Sequence, residues 1–364
     1  MATDGPLALV GVVAALVLLF IVVPRLCSLW VRRRYVPWGR ELTTLQRAGS
    51  FDDLDRTTRR RLRALRPGAL SAAIRIPRAT AWASLGRLSE ALDELAVAEE
   101  ELTGIPGTDA SALDVVRHEI AVARIAPLIR SGRFDDAERE LLVIGHGSVP
   151  AVGTDGSRAD GLVRFLRDDD VESLRARLVP DDASPCDAFA RGLAEAMVAF
   201  ECSRAEDAAA SASSTPPAPT VEAWAHRCDH SLGDHVLAIL LAAGGRPTEA
   251  SARLRTATPP PADAPTPLRE ICELARAELW CAEGRGHDAA DHLRTALATH
   301  TCAEDRRQEA FLHERWAAIA APAGRDDEAR ANLRLALEHR QVAGPPRRAR
   351  QLGATLGGTT PPPR

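Results

Sequence analysis

The side chains best suited to hold a metal ion lie in HRCDHSLGDH, His226 to His235. On a helix His226, His230 and Asp234 stand four residues apart and share one face, an arrangement by which one helix offers several zinc ligands. No further ligand set in the sequence completes such a site, so a partly exposed polar helix start is the preferred reading and no metal is assigned. Cysteine adds nothing to it. The seven cysteines (Cys27, Cys186, Cys202, Cys228, Cys272, Cys281, Cys302) are irregularly spaced without a C-x-x-C pair, which excludes a zinc knuckle and argues against a disulfide framework.

A second acidic candidate is DDDVE, Asp168 to Glu172. It resembles the aspartate-rich D-D-x-x-D motif of all-helical prenyl-diphosphate enzymes, which hold magnesium. Here the last position is Glu172 and no second acidic motif accompanies it, so acids favoured by a helix N-terminus account for the run. G-x-S-x-G, G-x-G-x-x-G and H-E-x-x-H are absent. All 46 basic residues are arginine, so the chain has no lysine for a P-loop, a kinase strand or a Schiff base. The expectation is a protein that is not an enzyme, with no catalytic residues, cofactor or metal.

The elements that would position any site begin with an apolar run. Leu7 to Val23 carries no charged or strongly hydrogen-bonding side chain, and as a helix it is roughly 26 Å long at ~1.5 Å per residue, near the minimum for a bilayer core. No basic residue precedes it, while Arg25, Arg32, Arg33, Arg34 and Arg40 follow, so the expected topology is single-pass with the N-terminus outside and the C-terminal body cytoplasmic. Trp30, Tyr35 and Trp38 fit an interfacial belt. Residues 25–78 hold fourteen Arg against four acidic residues, net +10, and are expected to rest on anionic lipid. Residues 79–364 carry a net −13, which disfavours nucleic acid.

The remainder is organised by a repeat, G-R-x-x-[DE]-A-x-x-x-L. It occurs at Gly86–Leu95, Gly132–Leu141, Gly245–Leu254, Gly284–Leu293 and Gly324–Leu333, with weaker copies at Gly49, Asp168 and Ser203. Most intervals fit a two-helix unit. Glycine tolerates the left-handed backbone that ends one helix, the acid falls in the first turn of the next, and the following Ala permits close helix approach. Leu four residues later keeps to that face, and Ala98, Ala257, Ala296 and Ala336 continue it. The segments 145–160, 213–220 and 258–267 read as loops, and the tail from Gly344 as disordered.

These features resemble the tetratricopeptide repeat family over roughly residues 40–340, with Ala79, Ala238, Ala277 and Ala317 at the small-residue position of the family's first helix. The anchor-plus-repeats plan is similar to bacterial membrane adaptors. The resemblance implies an all-α fold, an N-terminal transmembrane helix followed by an α-solenoid. Its parts are a tail 1–6, the membrane helix and interfacial extension 7–31, a basic juxtamembrane segment with a degenerate repeat 32–78, the solenoid 79–343, and the tail 344–364. It further implies a scaffold that binds partner proteins in its concave groove, through Ile76, Thr80, Val122, Ala126, His235, Ile239, Leu274, Glu278, Glu314 and Ala318. That mixed apolar and acidic set would suit an amphipathic or basic segment. No small-molecule substrate is evident. The family's carboxylate clamp needs Lys and Asn, which do not occur at these places. The alternatives are an all-helical metal-dependent enzyme using His226–His235 or Asp168–Glu172, and a self-associating structural membrane protein.

Overall fold

The structure is a computed structural model, and it describes residues 37–103, 110–146, 153–177, 185–222, 224–300 and 304–358. The described residues are all-helical. They comprise α1 (37–48), α2 (Phe51–Leu62), α3 (Ala69–Ser84), α4 (Leu88–Thr103), α5 (Ala110–Arg130), α6 (Phe134–His146), α7 (Gly153–Asp168), α8 (Val171–Arg177) and α9 (Pro185–Glu201). There follow α10 (Ala205–Ser214), α11 (Trp224–Ala243), α12 (Pro247–Thr256), α13 (Thr266–Ala282), α14 (Gly286–Ala296), α15 (Arg306–Ala320), α16 (Asp326–Ala343) and α17 (Pro346–Leu356). Among the described residues no helix is long and apolar enough to cross a membrane. The Leu7–Val23 run and Arg25–Arg34 lie outside the described residues.

Eight helix pairs, α1/α2 to α15/α16, share one turn. In each, a residue with positive φ stands two positions before the second helix: Gly49, Gly86, Gly132, Asp169, Ser203, Gly245, Gly284 and Gly324. Seven of the eight close the first helix with the same two backbone bonds, as in Gly86 N–H to Ala83 O at 3.0 Å and Arg87 N–H to Trp82 O at 3.0 Å, a Schellman ending. The exception is Asp169, which places that copy's turn one residue later than the pattern at Asp168 had suggested.

The Arg and the acid of the repeat prove to be partners. Arg204–Asp207 (2.8 Å) and Arg285–Asp288 (3.1 Å) are typical, and Arg87–Glu90 and Arg325–Glu328 repeat them. Each bridges the left-handed turn to the first turn of the next helix, although the exposed ones among them contribute only about 0.2–1 kcal/mol. The small residue after the acid does more. Ala91, Ala137, Ala250 and Ala289 are wholly buried, and on the first helices Ala79, Ala238, Ala277 and Ala317 are at most 2% exposed. With so little side chain at the crossings, the helices of a pair and of neighbouring pairs pack closely.

The pairs wind round until the eighth meets the second and third. Arg130 Nε on α5 donates to Asp305 Oδ2 before α15 at 2.8 Å, and the Ser89 backbone N–H at the start of α4 donates to Glu304 at 2.6 Å. Farther along, Arg340 of α16 reaches Glu201 of α9 at 2.6 Å, and the Arg347 backbone N–H donates to Asp169 at 2.9 Å.

Three boundaries expected from composition are corrected. The tail 344–364 was expected to be disordered, yet 346–356 is the helix α17. Its Leu352 is fully buried beside Ala317, Ala320 and Leu333, and its Arg348 reaches Glu314. One leucine and one buried arginine suffice once the eighth pair supplies the opposite wall. Within the expected loop 145–160, residues 153–160 belong to α7, whose Val163, Phe165 and Leu166 pack into the core. The division at 78/79 falls inside α3, and the degenerate repeat expected before it is the pair α1/α2. Arg75 and Arg78, assigned to the basic foot, instead pair with Glu94, Glu101 and Asp55. Arg40, Arg47, Arg60, Arg63 and Arg66 remain exposed.

Candidate ligand-binding lumen

The winding frames a half-open cavity of about 1030 Å³, lined by the first helices of six pairs: α3, α5, α9, α11, α13 and α15. This volume lies at the upper end of that seen for small-ligand sites. Its wall is mainly apolar, with Ile76, Val122, Met197, Leu232, Ile271 and Phe311 contributed by different helices.

The polar groups of the wall fall into two sets. Arg130 is satisfied, donating to Asp305 and, through Nη1, to the Ala83 carbonyl at 2.8 Å. Glu201 is held at Oε1 by Arg340, and its Oε2 is buried without a partner. His118 and Arg307 have open nitrogens. Both ring nitrogens of His118, which is 8% exposed, and the Nε of Arg307 are buried without a hydrogen-bond partner. Burial pushes the Arg307 guanidinium down from its ordinary range, with Glu201 and Asp305 opposing that shift. Buried donors without partners cost about 1–3 kcal/mol each, so a wall that retains them is poised for a ligand that satisfies them.

The ten residues expected to form a groove divide accordingly. Ile76, Thr80, Val122 and Ala126 line the lumen. Ile239 and Leu274 are fully buried in the main hydrophobic core and are not on the wall. Glu278 is 4% exposed and accepts from Arg315 Nε at 2.6 Å, while Glu314 is 2% exposed and accepts from Arg340 and Arg348. His235 is half-buried with Nδ1 at 2.6 Å from the Ser231 carbonyl, and Ala318 is half-buried; neither lines the lumen. On α11, α13 and α15 the lining register moves toward the N-terminal halves, to Leu232, Ile271 and Arg307. The C-terminal half of α15 faces α16 and α17 at the closure instead. Losing Glu278 and Glu314 removes the acidity expected of the groove at those positions, and Arg307 adds a cation with an open Nε to the wall.

Neither sequence-derived metal candidate gathers ligands. His230 Nδ1 meets the Pro219 carbonyl at 2.8 Å and its ring packs edge-on to Phe189. Asp234 accepts from Arg253 at 3.0 Å and from the Thr258 backbone N–H; the His226 side chain lies outside the described residues. Along the acidic run, Asp168 pairs with Arg167, Asp169 with Arg350, and Asp170 accepts from the Ser173 N–H at 2.9 Å. The described residues that do bring ligand atoms together are His300, Glu309 and His313, outside both sequence-derived candidates. The visible trace is Glu309 and His313 four apart on one helix; His300 joins them only through the fold. No family model, curated protein or solved structure matches this chain.

Proposed function

We propose that this chain is a tetratricopeptide-like scaffold tethered to a membrane by Leu7–Val23, whose lumen receives an apolar, carboxylate-bearing segment of a partner protein. The observation that carries the reading is the unsatisfied pair, His118 and Arg307, set in a mainly apolar wall built from six first helices. An apolar segment replaces water on Ile76, Val122 and Phe311, and its carboxylate gives Arg307 a charge-assisted partner. A basic segment, suggested by the sequence, fits less well because Glu278 and Glu314 are off the wall and Glu201 and Asp305 are engaged by Arg340 and Arg130, which leaves Glu119 as the exposed acid it would meet. The exposed Arg40, Arg47, Arg60, Arg63 and Arg66 support placing the foot of the solenoid against anionic lipid.

The test is site-specific photo-crosslinking in membranes, with a photoreactive residue in place of Val122 and, as a control, of the exposed Leu142. A discrete protein adduct at Val122, absent at Leu142 and lost in Arg307→Glu, is the expected result. Adducts unaffected by Arg307→Glu would refute the assignment. Recovery of a small apolar acid from the purified chain by native mass spectrometry would replace the partner segment with a small ligand.

A further inference from the structure

Away from the lumen, four segments bring histidines and carboxylates together: α13, the α14–α15 connection, α15 and α16. His300, in that connection, has a side chain 9% exposed. Its Nδ1 lies 2.9 Å from Glu270 Oε1 on α13, and its Nε2 lies 3.0 Å from Glu309 Oε2 in the first turn of α15. One turn on, His313 directs its Nε2 at the same Glu309 oxygen from 3.7 Å. The ligand atoms of His300, Glu309 and His313 all lie within 4.8 Å of one another, and the Glu309 and His313 side chains are 1% and 6% exposed.

The outer hydrogen bonds settle which nitrogens face inward. Asn332, the only asparagine of the chain, donates its Nδ2–H to the Glu328 carbonyl at 3.0 Å. Its Oδ1 therefore faces His313 Nδ1, at 2.8 Å. An amide oxygen only accepts, so Nδ1 of His313 carries the proton and Nε2 presents a lone pair toward Glu309. For His300 the Glu270 carboxylate accepts from Nδ1, which leaves Nε2 as the inward atom. Each inward nitrogen thus has behind it the acceptor that fixes tautomer and ring orientation in histidine–metal sites. The His339 ring stacks on His313 at 5.9 Å and 3°, closing one side.

We propose that His300 Nε2, His313 Nε2 and the Glu309 carboxylate bind a divalent transition-metal ion of the zinc class, with Glu270 and Asn332 as their outer partners. Two imidazoles and one carboxylate suit zinc and its first-row neighbours, whereas magnesium and calcium require oxygen-rich shells. Ion binding displaces the His300 proton shared with Glu309. It ties α13 and the α14–α15 connection to α15, joining the seventh and eighth pairs next to the closure. The site shares no residue with the lumen wall, so it stands whether or not the lumen binds a partner.

The experiment uses the full chain in detergent, without a polyhistidine tag, stripped with chelator and then titrated with cobalt(II) and zinc(II). The expected result is one cobalt ion per chain with the visible bands of a low-coordinate site, displacement by zinc, a Tm raised by zinc and not by magnesium, and no change in the exposed-residue control His287→Gln. His313→Gln should abolish the bands, and Glu270→Gln should weaken zinc binding about 10–100-fold. Absence of a stoichiometric ion in the wild-type chain would overturn the proposal, whatever the variants do. Undiminished cobalt bands in a His300→Gln/His313→Gln chain whose circular dichroism is native would overturn it equally.

Discussion

Arg340→Met tests whether the wound array is held closed by buried charge. Arg340 is 1% exposed and bridges Glu201 on α9, 139 positions earlier, to Glu314 on α15, which are 2% and 1% exposed. Arg348 also engages Glu314, so that carboxylate keeps a cation when Arg340 is removed. Glu201 does not. Its Oε1 is bonded by Arg340, and its Oε2 is buried without a hydrogen-bond partner. The methionine preserves most of the volume, so the cost is that of stranding one buried carboxylate, about 3–5 kcal/mol. At about 2 °C per kcal/mol for a chain of this size, Tm should fall by roughly 6–10 °C. Because the lost contact joins distant pairs, the loss should also open the array: hydrogen exchange should rise first at the ends of α9 and α16, and the radius of gyration by small-angle scattering should grow. Adding Glu201→Gln removes the stranded charge and should recover more than half of the loss, a coupling measurable as a double-mutant cycle. A Tm change below about 1 °C, or strictly additive single and double variants, would refute the closure argument.

Two further expectations separate local from tertiary causes. Gly132 and Gly245 share the left-handed turn, at φ 80° and 75°, but a Cβ at Gly132 would run into the Val342 backbone on α16, whereas at Gly245 it meets open space. Gly245→Ala should therefore cost about 1–2 kcal/mol, the left-handed penalty alone, and Gly132→Ala measurably more; equal losses in urea unfolding would show that the α6–α16 approach is not tight. Burial pushes the Cys228 and Cys272 thiols up to about 12, whereas Cys186 is exposed. At pH 8 peptide mapping after iodoacetamide treatment should find Cys186 alkylated and Cys228 and Cys272 protected until the chain is unfolded; rapid labelling of either buried thiol in the native protein would contradict the packing around α11 and α13.

The helix pairs were legible because their determinants lie within ten residues of one another. Left-handed glycine, its Arg–acid pair and the buried Ala act within one turn and the start of the next helix, so a linear pattern carries them intact. Even the degenerate copies obey it, with Ser203 and Asp169 at positive φ where glycine is missing. Four of the ten groove residues line the lumen for the same reason, since Ile76, Thr80, Val122 and Ala126 sit on α3 and α5, where first-helix periodicity alone aims side chains inward. On α13 and α15 that periodicity was overruled, because Glu278 and Glu314 found arginines from other helices and left the wall.

The amino-acid order by itself therefore determined the helical class, the unit that repeats, the turn that joins each pair and the apolar run that precedes them. Only the tertiary structure decided that the array closes, that His118 and Arg307 line its lumen without hydrogen-bond partners at buried nitrogens, and that His300 meets Glu309 and His313. The reason is geometric. Each pair rotates a little against the last, local sequence sets that step only approximately, and the sum over eight pairs selects which residues, 139 or more positions apart, finally touch.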